Sequence, residues 1–221
     1  MNKERLAREI ILMRVARELE DGSYVNLGIG MPTLVANFIG PDKLVIIHSE
    51  NGLLGTGPSP EPGEEDPDLC NAGGQPVTLI PGSAIVHHAD SFALVRGKHL
   101  DCAVLGGLQV SEHGDLANWM RPDRGVGSIG GAADIARGAK KVYVAMEHTT
   151  KDGEFKVVKQ CSYPLTGARV VHTIFTDVAV LRVTPEGLVL EEAAPGWTPA
   201  DVQAVTEPTL IVSPTFCEIS L

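Results

Sequence analysis

Short apolar runs recur along the chain, and stretches that suit helices separate them. The clearest runs are YVNLGIGMP, KLVIIHS, HLDCAVLGGLQV and KKVYVAME. Continuously apolar strands are typical of a sheet that is covered on both faces. Helices between successive strands imply parallel connections. The pattern therefore predicts an α/β protein with a three-layer α/β/α arrangement, a central mostly parallel sheet and a single domain over residues 1–221.

Four stretches predict the helices that flank this sheet. Residues 2–20 are rich in strong helix formers, and their apolar side chains spread widely around the helix axis. Pro32 suits the first turn of a second helix, PTLVANFI. Asp90 would cap a third helix, DSFALVRG. Thr198 and Asp201 form a capping pattern at the start of a late helix, TPADVQAVT. These helices would supply the two outer layers.

Residues 56–75 predict a long surface loop, because they are rich in Gly, Pro and acidic side chains. Loops of this length in compact domains tend to be functional. The acidic run from Glu61 to Asp68 lacks the spacing of a calcium-binding loop, and prolines interrupt it. The loop is therefore predicted to bind no calcium.

The charge balance excludes one class of partner. The chain has 18 Lys and Arg against 28 Asp and Glu, which gives a formal net charge of −10, and it contains no basic tract. Such an acidic chain is a poor nucleic-acid binder. An anionic ligand would need local help, from helix N-termini or from a second chain.

Cysteine usage and the N-terminus predict a soluble, reduced, cytoplasmic protein. The four cysteines are not paired at metal-ligand spacing, and they imply no disulfide framework. The first residues, MNKERLAREI, are charged and lack the apolar segment of a signal peptide. No apolar run approaches the length of a membrane span.

The segment HSENGLLG places Glu50 directly after an apolar run. Two interpretations of this carboxylate are open. Asn51 and Gly52 could form a tight hairpin turn with Glu50 solvated beside it. Alternatively, Glu50 could be a reactive group at the carboxyl end of a buried strand, where open α/β sheets bind ligands. LLGTGPSP makes a poor partner strand, so a hairpin is not expected, but these residues alone do not decide between the two.

Two glycine-rich turns, residues 26–32 and 125–131, each precede a predicted helix. Glycine lets backbone N–H groups approach a ligand closely, and helix N-termini favour anionic oxygen. The second turn formally fits the dinucleotide-binding pattern, but no strand precedes it, which excludes NAD binding. For either turn alone, ordinary backbone geometry is the simpler interpretation.

Adjacent histidines, His87 and His88, follow the apolar residues SAIV. On a strand, neighbouring side chains point to opposite faces, so these two would not bind one metal ion together. No metal site is predicted.

Several longer motifs occur together and in one order. They are NLGIGMP, SENGLLG, LCNAGG, GDLANWM, GVGSIGGAADI and AMEHTTKDG. With these motifs the chain resembles the B (beta) subunit of family I CoA-transferases, in particular the 3-oxoacid CoA-transferases, from about residue 5 to residue 215. The resemblance implies the CoA-transferase fold and a catalytic role for this chain.

The resemblance implies that Glu50 is the nucleophile. Its carboxylate would attack an acyl-CoA thioester, form an acyl-glutamyl anhydride and then carry CoA as a glutamyl-CoA thioester in a ping-pong reaction. It also implies that the backbone N–H of Gly131 is an oxyanion donor, while Gly130 keeps the turn open. We further expect coenzyme A contacts at one set of residues: Asn26, Gly28, Gly30, Asn51 and Gly130. Asn51 would in addition hold the Glu50 loop in place.

The resemblance also implies that the chain is half of an enzyme. A partner chain, the A (alpha) subunit, would supply a second oxyanion donor and much of the CoA groove, in a complex expected to be α2β2. Coenzyme A would enter as the acyl-CoA substrate, with no permanently bound cofactor. Succinate paired with acetoacetate or 3-oxoadipate fits the resemblance best. Short-chain acids, thioester hydrolysis and a non-catalytic CoA-binding or sensor module remain as alternatives.

Overall fold

The computed structural model describes residues 3–125 and 127–220. Its helices are α1 (Arg8–Glu18), α2 (His88–Arg96), α3 (Ala132–Gly138) and α4 (Pro199–Ala204), together with 3-10 helices over Met31–Phe38 and Pro122–Arg124. Residues 1, 2, 126 and 221 belong to the predicted single domain but lie outside the described residues. Asn2, at the start of the predicted first helix, is one of them.

The strands are β1 (Tyr24–Leu27), β2 (Ile46–Ser49), β3 (Leu53–Thr56), β4 (Leu79–Ile85), β5 (Cys102–Leu105), β6 (Gln109–Ser111), β7 (Leu116–Ala117), β8 (Lys141–Ala145), β9 (Val157–Val158), β10 (Thr173–Phe175), β11 (Ala179–Thr184), β12 (Gly187–Ala193) and β13 (Leu210–Glu218). Ten of them form one sheet in the order β13-β12-β11-β10-β8-β5-β1-β2-β3-β4. A small sheet contains β7, β6 and β9.

The centre of the large sheet is parallel. Strands β10, β8, β5, β1 and β2 are adjacent in this order and parallel to one another, and β12 is parallel to β13. Antiparallel pairs flank this centre, with β10-β11-β12 on one side and β2-β3-β4 on the other. The prediction of a central, mostly parallel sheet is confirmed.

Alternate residues of the central strands feed two separate cores, one on each face of the sheet. On β5, Ala103 and Leu105 join the core that includes residues of α2 and α3, while Cys102 and Val104 join the core that includes residues of α1 and the first 3-10 helix. This alternation follows from the period of two in a strand. Helices therefore cover both faces, which confirms the three-layer arrangement.

The first helix is shorter than predicted. Residues 3–7 are not helical, and α1 begins at Arg8. The backbone N–H of Leu6 donates to the carbonyl of Asp177 at 2.8 Å, and Arg5 forms an ion pair with the Asp177 side chain. These tertiary contacts hold the segment extended, although its helix propensity is high.

At the other three predicted helices, the structure differs from two local predictions and confirms the third. The segment predicted as PTLVANFI is a 3-10 helix. His87 caps α2, since its Nδ1 accepts from the backbone N–H of Ala89 at 3.1 Å, so the prediction of an Asp90 cap is wrong. His87 and His88 thus begin a helix and do not lie on a strand. The capping box of Thr198 and Asp201 at α4 is confirmed.

The predicted long loop is present, and residues 57–78 contain no helix or strand element. Most of its side chains are exposed. Within the described ranges, no helix is both long and apolar enough to cross a membrane.

Candidate active site

Glu50 lies in the connection of a β-hairpin. Strands β2 and β3 pair antiparallel with Ser49 opposite Leu53, so that Glu50, Asn51 and Gly52 form the turn between them. The expectation that no hairpin forms here is wrong. Strand β3 also pairs with β4 on its other side, and this second partner stabilises a strand that the sequence LLGT does not favour alone.

Gly52 is required at this turn. Its φ angle is +122°, in the region that favours glycine, and a Cβ atom would overlap the carbonyl oxygen of Val86. Its own carbonyl accepts from the N–H of Val86 at 2.8 Å, which ties the turn to the end of β4.

The hairpin does not leave Glu50 solvated. The side chain is half-buried, and its Oε2 lies 2.8 Å from the position that a Cβ on Gly131 would occupy. The ring of Phe92 also lies against Gly131, with Cζ 2.6 Å from the same position. Glu50 therefore belongs to a hairpin turn, but it is not solvated there, because its side chain faces another loop of the protein.

Glu50 and Gly131 line a cleft of about 320 Å³ at the carboxyl edge of the parallel strands. Gly28 follows the end of β1, Gly106 follows β5, and Glu50 follows β2. Parallel strands bring these positions to one edge of the sheet, where α/β proteins bind ligands. The other lining residues are Ile29, Leu105, Asn118, Ser128, Ile129, Gly130, Ala132 and Ile135. Among the described residues that line the cleft, none is Lys or Arg.

Two opposing effects act on the pKa of the Glu50 carboxyl. Burial raises the pKa of the Glu50 carboxyl, because desolvation disfavours the charged form. The nearby backbone of Gly131 and the His88 imidazole oppose this rise in pKa. Glu50 is therefore a partly desolvated carboxylate that lies beside the backbone of Gly131, a combination that suits a nucleophile.

Two of the three glycines expected near coenzyme A line the cleft. Gly28 and Gly130 line it, and Gly30 precedes the first 3-10 helix with a φ angle of +97°. The N–H of Gly28 already donates to the carbonyl of Val104 at 2.8 Å. A Cβ on Gly30 or on Gly130 would meet no atom within 4 Å, so the space beside both is open.

Asn26 and Asn51, the two asparagines expected to contact coenzyme A, do not line the cleft. Asn51 is exposed, and its Nδ2 donates to the carbonyl of Cys70 at 2.8 Å. It therefore ties the Glu50 turn to the long loop. Asn26 is only 2% exposed, and its Nδ2 lies 3.0 Å from Nδ1 of His48. Asn26 thus contacts β2, the strand that leads into the Glu50 turn.

Sequence reasoning missed the roles of His88, Phe92 and Asn118. His88 and Phe92 are four residues apart on α2, their ring centroids lie 4.9 Å apart, and both lie beside the Glu50–Gly131 pair. The spacing of four along a helix is an available signal that they share a face. Asn118 lines the cleft and donates to the carbonyl of Gly106 at 3.1 Å. It belongs to the GDLANWM motif, for which the sequence alone indicates no role.

No metal centre is visible in the parts of the chain that the structure describes. Residues 3–125 and 127–220 contain no group of three or more His, Cys, Asp or Glu side chains placed to hold a metal ion. In the cleft itself, the groups suited to take part in chemistry are the Glu50 carboxylate and the backbone N–H of Gly131.

Known proteins resemble this chain in sequence and in fold. The family model described as coenzyme A transferase matches residues 8–204. The B subunit of the 3-oxoadipate CoA-transferase of Pseudomonas putida is 60% identical over 190 residues, which cover 86% of this chain and 89% of that protein. The B subunit of the succinyl-CoA:3-ketoacid coenzyme A transferase of Helicobacter pylori is 51% identical over 200 residues, covering 90% of this chain and 96% of that protein.

A crystal structure of an acyl-CoA transferase from Escherichia coli O157:H7 shares the fold, with a TM-score of 0.78 at 20% sequence identity. The match covers 100% of this chain but 44% of that longer chain. Both sequence relatives match over most of their own length. This chain therefore belongs to the coenzyme A transferase family, in which it is a chain of the B (beta) type.

Proposed function

We propose that this chain is the catalytic subunit of a CoA-transferase that moves CoA from an acyl-CoA, succinyl-CoA in the first instance, to a 3-oxoacid such as acetoacetate or 3-oxoadipate. The observation that carries the proposal is the half-buried Glu50 carboxylate facing the backbone of Gly131 in the cleft. The printed activities of the sequence relatives support the choice of substrates.

In the proposed reaction, a Glu50 carboxylate oxygen attacks the thioester carbonyl, the C–S bond breaks, and CoA thiolate leaves. The product is a mixed anhydride between the acyl group and Glu50. The thiolate then attacks the glutamyl carbonyl, which releases the first acid as a carboxylate and leaves glutamyl-CoA. A second carboxylate repeats these steps in reverse order and departs as the new acyl-CoA. No step requires a general base, because every nucleophile is already an anion.

The physical arrangement supports this assignment. A carboxylate is a weak nucleophile in water, and partial burial removes some of the solvation that makes it so. Each addition to a carbonyl creates an oxyanion, and a backbone N–H such as that of Gly131 can stabilise it. Losing one such donor costs about 3–4 kcal/mol of transition-state stabilisation in a well-studied hydrolase.

We also propose that a separate alpha chain, the A-type subunit, completes the site in an α2β2 complex. Coenzyme A carries several phosphate charges, and the described lining of the cleft has no Lys or Arg to bind them. A chain with a net charge of −10 is poorly suited to hold such a ligand alone. The names of the sequence relatives as B subunits, together with the greater length of the E. coli chain, are consistent with a missing half.

In this complex coenzyme A is a substrate and not a resident cofactor. Gly28 and Gly130 line the cleft beside Glu50, and Gly30 lies two residues after Gly28; all three are proposed to approach coenzyme A. Asn51 is proposed to act through the long loop that it holds. Asn26 is proposed to act through His48 on β2, the strand that leads into the Glu50 turn.

Chemical trapping tests the proposed intermediate. The complex with the alpha chain is incubated with succinyl-CoA and then with borohydride, which reduces a glutamyl thioester to an alcohol. Peptide mass spectrometry is expected to find this change at Glu50 and at no other carboxylate. An unmodified Glu50 in a complex with demonstrated transferase activity would contradict the mechanism. Release of free CoA that does not depend on an added acid would favour hydrolysis instead.

His88 is expected to set the acidic limit of activity. Because His88 helps to lower the pKa of Glu50, the substitution His88→Gln should raise that pKa further. A larger fraction of Glu50 is then protonated at a given acidic pH, so the acidic limb of the pH–rate profile should move to higher pH. The rate at the upper plateau should change little.

The matched control for His88 is His113→Gln, since His113 is exposed and does not line the cleft. Its acidic limb should coincide with that of the parent protein. A shift of the acidic limb of the His88→Gln profile to lower pH would contradict the electrostatic role assigned to His88.

A further inference from the structure

Three buried polar side chains on β1, β2 and α2 are linked by hydrogen bonds. His48, on β2, is 1% exposed, Asn26, on β1, is 2% exposed, and Ser91, on α2, is fully buried. Nδ1 of His48 is 3.0 Å from Nδ2 of Asn26, and Nε2 of His48 is 2.8 Å from Oγ of Ser91. Buried polar groups cost stability unless they are hydrogen-bonded, so this cluster in an otherwise apolar layer requires an explanation.

The hydrogen bonds determine the state of the imidazole. An amide nitrogen only donates, so Nδ1 of His48 accepts from Asn26, and the ring proton is on Nε2, which donates to Ser91. Burial lowers the pKa of His48 to about 4, so the ring is neutral near pH 7. His48 is therefore a neutral bridge, in which Nδ1 accepts a hydrogen bond from Asn26 and Nε2 donates one to Ser91.

This bridge joins the elements that carry the two reacting groups. His48 lies on β2, two residues before Glu50 in the turn that follows, a distance of about 6.6 Å along an extended chain. Ser91 is adjacent on α2 to Phe92, whose ring lies against Gly131. Asn26 precedes Gly28, which lines the cleft, and it is paired with His48 in the register of β1 and β2.

We propose that His48 is a positioning residue that, through Asn26 and Ser91, fixes the Glu50 carboxylate relative to the backbone of Gly131. This inference rests on the proposed function of Glu50 as nucleophile. Gly52 and Asn51 tie the backbone of the turn to the end of β4 and to the long loop. The His48 bridge adds a connection to α2, the helix that carries Phe92. A displacement of about 1 Å is enough to slow a reaction roughly 100-fold.

The network is not arranged for stability alone. Oδ1 of Asn26 has no hydrogen-bond partner among the described residues, although it is buried. An unsatisfied buried acceptor lowers stability, and an apolar trio of similar volume would avoid that cost. A positioning role accounts for polar side chains at these three places.

The protein contains a matched control, His148. It is fully buried, its pKa is likewise lowered to about 4, and its two ring nitrogens lie 2.8 and 2.9 Å from the hydroxyls of Thr176 and Thr206. Neither histidine lines the cleft, but the ring of His148 is hydrogen-bonded to Thr176 and Thr206 and not to residues of β1 or α2. His48→Leu and His148→Leu therefore each remove two buried hydrogen bonds. Only His48→Leu affects β2, the strand that leads into the Glu50 turn.

The test measures single-turnover formation of the trapped Glu50 adduct in the complex with the alpha chain, at saturating succinyl-CoA. His48→Leu should slow adduct formation about 100-fold, with KM for succinyl-CoA changed less than about threefold. His148→Leu should lower Tm by a similar amount to His48→Leu but keep adduct formation within about threefold. His48→Gln, which retains a donor toward Ser91, should recover part of the rate.

Ser91→Ala provides a second route if His48→Leu does not fold. It removes one oxygen atom and should slow adduct formation about tenfold, again with little change in KM. Normal adduct formation in a folded His48→Leu or Ser91→Ala variant would overturn the inference, as would an equal loss in His148→Leu. If the parent complex transfers CoA without forming an adduct on Glu50, the proposed function itself fails, and this inference fails with it.

Discussion

Replacing Glu50 with glutamine is expected to abolish CoA transfer while leaving the protein folded. The amide has nearly the shape of the carboxylate, but it is neutral and does not form the anhydride or the glutamyl-CoA thioester. Loss of a covalent nucleophile typically costs about 10⁴-fold or more in rate. The measurement is the rate of acetoacetyl-CoA formation from succinyl-CoA and acetoacetate in the complex with the alpha chain.

The same substitution should raise stability at neutral pH. The folded-state pKa of Glu50 is raised above its unfolded value, so the folded protein binds the proton more tightly, and stability falls as pH rises between the two values. Glutamine has no charge to bury, and it avoids this loss. Glu50→Gln should therefore have a Tm at pH 7 equal to or above that of the parent protein.

Glu50→Asp is the matched comparison for this prediction. It keeps the carboxylate but withdraws it from Gly131 by one methylene, so a loss of about 100-fold is expected from misplacement alone. Substantial transfer by Glu50→Gln would exclude Glu50 as the nucleophile. Equal activity of the Asp and Gln variants would show that the charge of the side chain is not what matters.

The second large effect is expected for Gly131→Ala. The φ and ψ angles of Gly131, −84° and 0°, are accessible to alanine, so the backbone is not strained. The new Cβ, however, would lie 2.6 Å from Cζ of Phe92 and 2.8 Å from Oε2 of Glu50. One of these groups must move, so we expect transfer to slow about 100-fold to 1,000-fold, measured as kcat in the same assay.

A second substitution tests the cause of this loss. Phe92→Leu combined with Gly131→Ala removes the ring edge and gives the new methyl group room, so activity should recover in part. Phe92→Leu alone should be measured in parallel, because it changes the packing of α2. Parent-like activity in Gly131→Ala would contradict the close approach of Glu50 to this backbone.

Local patterns in the sequence were sufficient for the centre of the fold. The apolar runs that contain β1, β2, β5 and β8 were recognisable because strands covered on both faces are apolar at every position. The capping box before α4 was recognisable because it involves residues three apart in the chain. Both signals are contained within a few consecutive residues.

Elements that depend on distant partners were not predicted correctly. LLGT becomes β3 because it pairs with β2 on one side and β4 on the other. The edge strand β13 is paired with β12, and its burial shows no simple alternation. Residues 3–7 stay extended because Asp177, far along the chain, binds Leu6 and Arg5. Local propensity carries no information about such partners.

Motifs of consecutive residues were enough to indicate the family, the central parallel sheet, and Glu50 and Gly131 as candidate reacting groups. The surroundings of these two residues became apparent only in the folded chain. Glu50 belongs to a hairpin and nonetheless faces Gly131, His88 and Phe92 lie beside them, and His48 bridges Asn26 and Ser91. The reason is physical. A motif records which side chains are present, whereas pKa, orientation and distance arise from residues that the fold brings together from β1, β2, α2 and the turn before α3.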